Sequence, residues 1–320
     1  MSMVPTGTAG GDSHPERGTR CGGPPASQLW GTPAGKVVPM PQPVLLITGT
    51  SSGIGLSTSV VAARHGYRVV ATMRNLDGAG SLRAAAEEAG VELDVRRLDV
   101  TDQASITTCV DGVVADHGHL DVMVNNAGAG HIGTIGNESL DDVRQVMEVN
   151  FFGVVAVTKA VIPHLRASHG RIVTVTSVGG AVGQPFNEAY CAAKFAVEGF
   201  MESLAPVAES LGVGVAVVEP GPVATEFVNN IDADPDKLFG EAGPYEPALR
   251  AYIGHVMAEF SSATSVQTAH QVAEEMMAAL RPDSPALRFQ TSHWAREFVA
   301  RKLADHRGAS VVGLTSGWLH

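Results

Sequence analysis

Short continuous runs of apolar and β-branched residues recur along the chain at 44–47, 68–73, 120–124, 171–176 and 214–218. Each is too short for a stable helix and lacks strict polar alternation, so each predicts a strand buried on both faces. Residues 95–100, less apolar, read as a further strand. Between these runs, 56–65, 80–88, 140–165 and 188–202 have helical character, and Thr101-Asp102 opens one more helix. Strands alternating with helices predict a doubly wound parallel α/β sheet. Pro206 comes four residues after 202, in the continuation of the helix from 188, where a missing N–H and a bulky ring should end or kink it.

Residues 1–39 break the pattern. They are rich in Gly, Pro, Ser and Thr with few aliphatics, which predicts a disordered N-terminal extension. Met40-Pro-Gln-Pro leads straight into the first strand, so Met40 reads as a natural start. A single domain then spans 40–292, with a helical substrate lid at 229–260 and a C-terminal extension at 293–320. In that extension Trp294, Phe298 and Trp318 fit a lid extension, an oligomer contact or a frayed tail.

Composition narrows the function. With 320 residues, 44% of them hydrophobic, the chain can fill one large core, and a formal charge of −11 argues against a nucleic-acid binder. The three cysteines, Cys21, Cys109 and Cys191, show no metal-ligand spacing and fit a reducing, cytoplasmic setting. No apolar run approaches the length of about 20 residues that a bilayer requires, so no membrane span is expected.

Candidate chemistry starts at the first turn. Thr48-Gly49-Thr50-Ser51-Ser52-Gly53-Ile54-Gly55 lies between a strand and a helix, the setting in which a glycine turn receives a pyrophosphate. Gly49 permits the tight turn, Gly53 the close approach of a phosphate, and Gly55 the packing of helix on strand. Ser51, Ser52 and Ile54 complete this site. Arg74 ends the second strand, where an adenosine ribose should lie, and would accommodate a 2′-phosphate; in the competing reading Asp77 takes the ribose and Arg74 is solvated. That favours NADP(H), with NAD(H) second. Asp99, with Val100 after it, is placed to accept from an adenine amino group, or else caps the helix that follows. Asn126, Ala127 and Gly128 let a ribose pass close to the backbone, with Asn126 bridging strands. Past the strand at 214–218, Pro220 and Gly221 turn the chain out of the sheet and put Val223 and Thr225 against a carboxamide.

The densest cluster is 177–194. Tyr190 and Lys194, four apart on a helix, share a face, and a fixed ammonium beside a phenol should lower its pKa. Ser177, at a strand end, reaches the same spot. Asn150, polar among apolar neighbours, must find partners: a water leading from Lys194 to solvent, or the backbone of a kinked helix.

Taken in order, Thr48-Gly-x-x-x-Gly-Ile-Gly55, Leu98-Asp-Val100, Asn125-Asn-Ala-Gly128, Asn150, Ser177, Tyr190, Lys194 and Pro220-Gly221 resemble the short-chain dehydrogenase/reductase family over about 43–290. The resemblance implies a Rossmann fold, a catalytic tetrad of Asn150, Ser177, Tyr190 and Lys194, and a homodimer. Ala71-Thr-Met-Arg-Asn-Leu76, Ser177-Val-Gly-Gly180 and 185–199 are similar to the branch of 17β-hydroxysteroid dehydrogenase type 1 and photoreceptor retinol dehydrogenase. It implies an NADP(H)-dependent oxidoreductase of lipophilic secondary alcohols and ketones, estradiol and estrone first. A retinol or general ketone/acyl-chain reductase is the alternative, and a non-catalytic dinucleotide sensor the reading from another class. Ser177, Val182, Gln184, Phe186, Asn187, Tyr190, Phe227, Tyr245 and Tyr252 are the expected substrate contacts. No metal site is expected.

Overall fold

The structure, a computed structural model, describes residues 42–225, 235–261, 265–284, 286–304, 313–314 and 316–319. The expectations for residues 1–39 and for Phe227 lie outside the described residues, as does part of the segment 229–260.

In chain order the first half contains β1 (Val44–Thr48), α1 (Gly53–Arg64), β2 (Arg68–Met73), α2 (Gly80–Ala89), β3 (Asp94–Arg97), α3 (Gln103–His117) and β4 (Val122–Asn125). Then follow α4 (Leu140–Met147), α5 (Gly153–Ser168), β5 (Arg171–Val175), α6 (Glu188–Glu209), β6 (Gly214–Glu219) and β7 (Val223–Ala224). The rest is α7 (Pro235–Gly240), α8 (Glu246–Ser261), β8 (Gln267–Thr268), α9 (Ala269–Leu280), β9 (Arg288–Gln290) and α10 (His293–Ala304).

Among the described residues seven strands form one parallel sheet in the order β3-β2-β1-β4-β5-β6-β9. Side chains alternate across its faces. Val44 and Leu46 of β1 join one core with Met123, Ile172 and residues of α3, α5 and α6. Leu45 and Ile47 join the other, with Val124, Val173 and residues of α1, α2 and α9. Both faces are therefore covered, which explains why the strands read as unbroken apolar runs. The order reverses direction between β1 and β4, and a crevice opens beyond their C-terminal ends at such a switch point.

Four differences from the sequence expectations have physical causes. Helix α1 starts at Gly53, three residues before 56, because its first turn is made of the glycine motif itself. Helix α6 passes through Pro206 to Glu209. The proline is exposed and forfeits one ladder bond, while buried Ala208 anchors the last turn in the core. Strand β9 has no apolar run; Arg-Phe-Gln is recruited by pairing with β6. Finally, Leu140–Ser168 forms a continuous 29-residue helix that is long and apolar enough, by length and composition alone, to cross a membrane. Its apolarity has a local reason: Val154, Val157, Val161 and Leu165 face the sheet.

Leu46 is fully buried in the strand next to the crevice. Leu46→Ala is expected to lower unfolding free energy by about 2–5 kcal/mol, read as a fall in the urea midpoint at constant slope.

Candidate active site

The turn between β1 and α1 has room for backbone only. Gly49 has φ +71°, and a Cβ there would lie 2.7 Å from the Cα of Ala127. A Cβ at Gly55 would collide with the Gly49 carbonyl and the Asn126 amide. Asn126 fastens the two strands: its Nδ2 donates to the carbonyls of Thr48 and Gly49 at 2.9 and 2.8 Å. Thr48 Oγ1 accepts from the N–H groups of Asn126 and Ala127, both at 3.1 Å. Ser52 begins α1 without a side-chain cap, and no acid stands in the first turn, so the positive helix end stays open. Thr225 packs over Gly53, which brings the segment after Pro220 onto the same turn. Together these features form a cradle that fits a dinucleotide pyrophosphate.

At the other end of this groove Arg74 is exposed and Asp99 half-buried, on the loops after β2 and β3. Desolvation raises the Asp99 carboxyl, but bonds from Thr101 and the charges of Arg74 and Arg97 outweigh it and hold it below the usual range. Asp99 Oδ1 accepts from the backbone and hydroxyl of Thr101, and the cap of α3 is Asp102. Asp77 is exposed, its N–H held by Asn75.

Asn150 is completely buried within a wide π turn, Glu148–Phe152, that joins α4 to α5. Such a turn shifts the ladder to i−5, and Asn150 Nδ2 donates instead to the Val146 carbonyl at 3.1 Å. It also pairs with Ala129 in both directions, Nδ2 to O at 3.0 Å and N–H to Oδ1 at 3.2 Å. Beside it, a Cβ on Gly128 would lie 2.9 Å from Asn150 Oδ1 and 3.6 Å from Lys194 Nζ. The backbone reading of Asn150 is thus realised, and the amide flanks the lysine as well.

Ser177 leaves β5 in extended conformation and accepts from Gly179 N–H at 3.0 Å. Its hydroxyl also bonds Tyr190. Lys194, 5% exposed, donates to the Val175 carbonyl at 3.2 Å, with Nζ 5.7 Å from the centre of the Tyr190 ring. Desolvation raises the Tyr190 phenol well above its ordinary value, against the Ser177 bond. Desolvation also lowers Lys194 to about 8, opposed by the charge of Glu198. Burial dominates both groups and raises the phenol, where the spacing alone suggests a lowering by Lys194.

The expected substrate residues divide. Val182 is buried in a cluster with Val178, Ala295, Phe298 and Val299, so α10 packs directly on the loop after Ser177. Phe186 and Tyr252 pack together with Leu249 of α8, and Tyr252 Oη receives Asn187 Nδ2 at 2.7 Å. Phe186 has φ +54°, an uncommon region for a bulky residue, held by the bond from Gly133 N–H to its carbonyl at 2.9 Å. Tyr245 lies against Gly136 and is 38% exposed; Gln184 lies near Gly179.

One further group was named from the sequence with its packing left open, and a second was missed. Trp294 stacks on Phe298 at 4.8 Å, Phe298 on Trp318 at 6.0 Å, and Trp318 on His255 at 4.6 Å and Tyr252 at 6.5 Å. The described part of the C-terminal segment thus packs through Trp318 on Tyr252 and His255 of α8. The second is a charged cluster of Thr176, Glu198, Glu219 and Arg288 behind Lys194. Its signal was present, since Glu198 follows Lys194 by one helical turn.

A chain of this architecture with this site has recognisable relatives. Residues 43–236 match the family model of the short chain dehydrogenases. Retinol dehydrogenase 8 of Bos taurus is 39% identical over 84% of this chain and 87% of its own length. The 17-beta-hydroxysteroid dehydrogenase type 1 of Homo sapiens is 35% identical over 85% and 84%. The crystal structure of a short chain dehydrogenase/reductase from Burkholderia phymatum in complex with NAD superposes with a TM-score of 0.70 at 25% identity, covering 84% of this chain and 94% of that one. The chain therefore belongs to the short-chain dehydrogenase family and is an oxidoreductase acting on CH–OH groups.

Proposed function

We propose that this chain is an NADP(H)-dependent dehydrogenase that interconverts a lipophilic secondary alcohol and its ketone, with the 17β-hydroxyl of estradiol as the first substrate to test. The observation that carries this reading is the convergence of Ser177, Tyr190, Lys194 and Asn150 beside the glycine cradle. A nicotinamide dinucleotide held by the glycine turn, Asn126 and the segment after Pro220 would supply the hydride acceptor or donor. Ser177 holds the alcohol oxygen and Tyr190, as phenolate, takes its proton. Lys194, where ionised, would counter the burial that raises the phenol and would anchor the ribose, and Asn150 would lie on the proton's way from Lys194 to solvent.

Support for NADP(H) is the exposed Arg74 at the end of β2, with no acid on that strand end. Support for a lipophilic substrate is the apolar wall around the loop after Ser177, from Val178 and Phe186 to the aromatic stack of the C-terminal segment. The kinship with retinol dehydrogenase 8 makes retinol, a primary alcohol that would give an aldehyde, the second substrate to test. A homodimer belongs to the same reading; Phe195, Val207 and Leu211 on and after α6 are exposed apolar residues. So does a cytoplasmic setting, with Cys109 and Cys191 both free.

Reduction of NADP⁺ or NAD⁺ is followed at 340 nm with estradiol and with retinol. Tyr190→Phe is expected to lose turnover by at least about a thousandfold while still binding dinucleotide, in line with the removal of a general base; wild-type turnover in this variant rejects the assignment. Arg74→Gln is expected to raise the KM for NADP⁺ about tenfold and leave that for NAD⁺ unchanged, because one charge-assisted contact is removed. Equal effects on both cofactors would reject the 2′-phosphate reading.

A further inference from the structure

Two carboxylates are buried behind the lysine. Glu198 of α6 is 6% exposed, and Glu219, the last residue of β6, is fully buried. Arg288 of β9 serves both, its Nε lying 3.2 Å from Glu198 Oε2 and 3.5 Å from Glu219 Oε1. Its Nη2 turns outward to the exposed Glu202 at 2.7 Å. Gln290 Nε2 donates to Glu219 Oε2 at 2.5 Å, while Glu219 Oε1 accepts no hydrogen bond. One guanidinium thus faces three carboxylates, two of them out of water. Buried like charges at this spacing favour keeping one proton.

Thr176 indicates where that proton sits. Its Oγ1 lies 2.5 Å from Glu198 Oε1 and 3.1 Å from the Val218 carbonyl. Both are acceptors when Glu198 is ionised, and a hydroxyl has one proton to give. With a proton on Glu198, the acid donates to Thr176 and Thr176 donates to Val218, so all three groups in this chain of bonds are satisfied. Burial, reinforced by the charge of Glu219 and opposed by the bonds from Thr176 and Arg288, raises Glu198 to about 7.

Glu198 stands one turn from Lys194 on the same helix, and its charge favours the ammonium. We propose that Glu198 is a positioning residue for the catalytic lysine: its carboxyl group exchanges a proton and, once ionised, holds the charge on Lys194. The inference rests on the role given to Lys194 above. At low pH Lys194 keeps its proton unaided. As pH rises, the carboxylate appears at the point where a buried ammonium would otherwise be lost. The groups facing Glu198 are Thr176 from β5, Glu219 from β6, Arg288 from β9, and Lys194 and Glu202 from its own helix.

Glu198→Gln reproduces the shape and hydrogen bonds of the protonated acid. In the full chain, the alkaline limb of kcat/KM is expected to move down by about one pH unit, so the loss is small near pH 6.5 and approaches about tenfold on the alkaline side. Profiles of the same shape, with or without a uniform drop, overturn the proposal, because a packing defect has no such pH signature. Thermal unfolding reads the buried proton without turnover. A carboxyl raised from 4.5 to about 7 by folding contributes stability that is present below pH 4.5 and lost as pH climbs through 7. The wild-type Tm should therefore fall relative to Glu198→Gln between about pH 5 and 8, and a pH-independent difference overturns the proposal. If the Tm signature is present but wild type binds neither NADPH nor NADH, the role of Lys194 fails and the coupling with it, whereas the buried proton stands. Should Glu198→Gln not fold, Arg288→Gln moves the alkaline limb the same way by keeping Glu198 protonated longer; an unmoved limb overturns the proposal.

Discussion

A lysine ammonium kept out of water is the constraint around which the site is built. Desolvating such a charge costs several kcal/mol unless acceptors and opposite charges stand ready. Lys194 meets the Val175 carbonyl at the end of a central strand, flanks Asn150 across Gly128, and feels Glu198 one turn away. Each of these groups belongs to a different part of the fold. The position of the ammonium is consequently fixed by the sheet, the wide helical turn and helix α6 together.

The same arrangement links the two halves of the cleft. Asn126 ties the end of β4 to the end of β1, and Ala127 and Gly128 follow directly on the way to Lys194. The chain that seals the glycine turn is therefore the chain that borders the reacting groups. On the proposed reading, the dinucleotide and substrate sites share a backbone, with the parallel sheet as their common floor.

Much of this was legible in the sequence because it follows local rules. Apolar runs at 44–47 and 171–176 have one explanation, a strand covered on both faces, and the glycine spacing at 49–55 has one setting. Tyr190 and Lys194 sit on one helical face by number alone. What was not legible depends on distant pairing or burial. Strand β9 exists because β6 has a free edge, and Arg-Phe-Gln carries no signal of that. The direction of the Tyr190 shift depends on how deeply the phenol is desolvated, which spacing cannot tell. The aromatic stack of Trp294, Phe298 and Trp318 needed the lid to be in place before its purpose could be read.

The wide turn at Glu148–Phe152 has a consequence for how this site can vary. A π turn holds one residue more than an α-helix of the same rise, and each helical residue rotates the chain by about 100°. Losing any one residue of that segment other than Asn150 would let the helix become regular. It would also swing the Asn150 amide away from Ala129 and Lys194 without altering one side chain of the site. Here chain length acts as a gauge for the geometry of the site: substitutions in the turn at positions other than Asn150 are tolerable where a one-residue deletion is not.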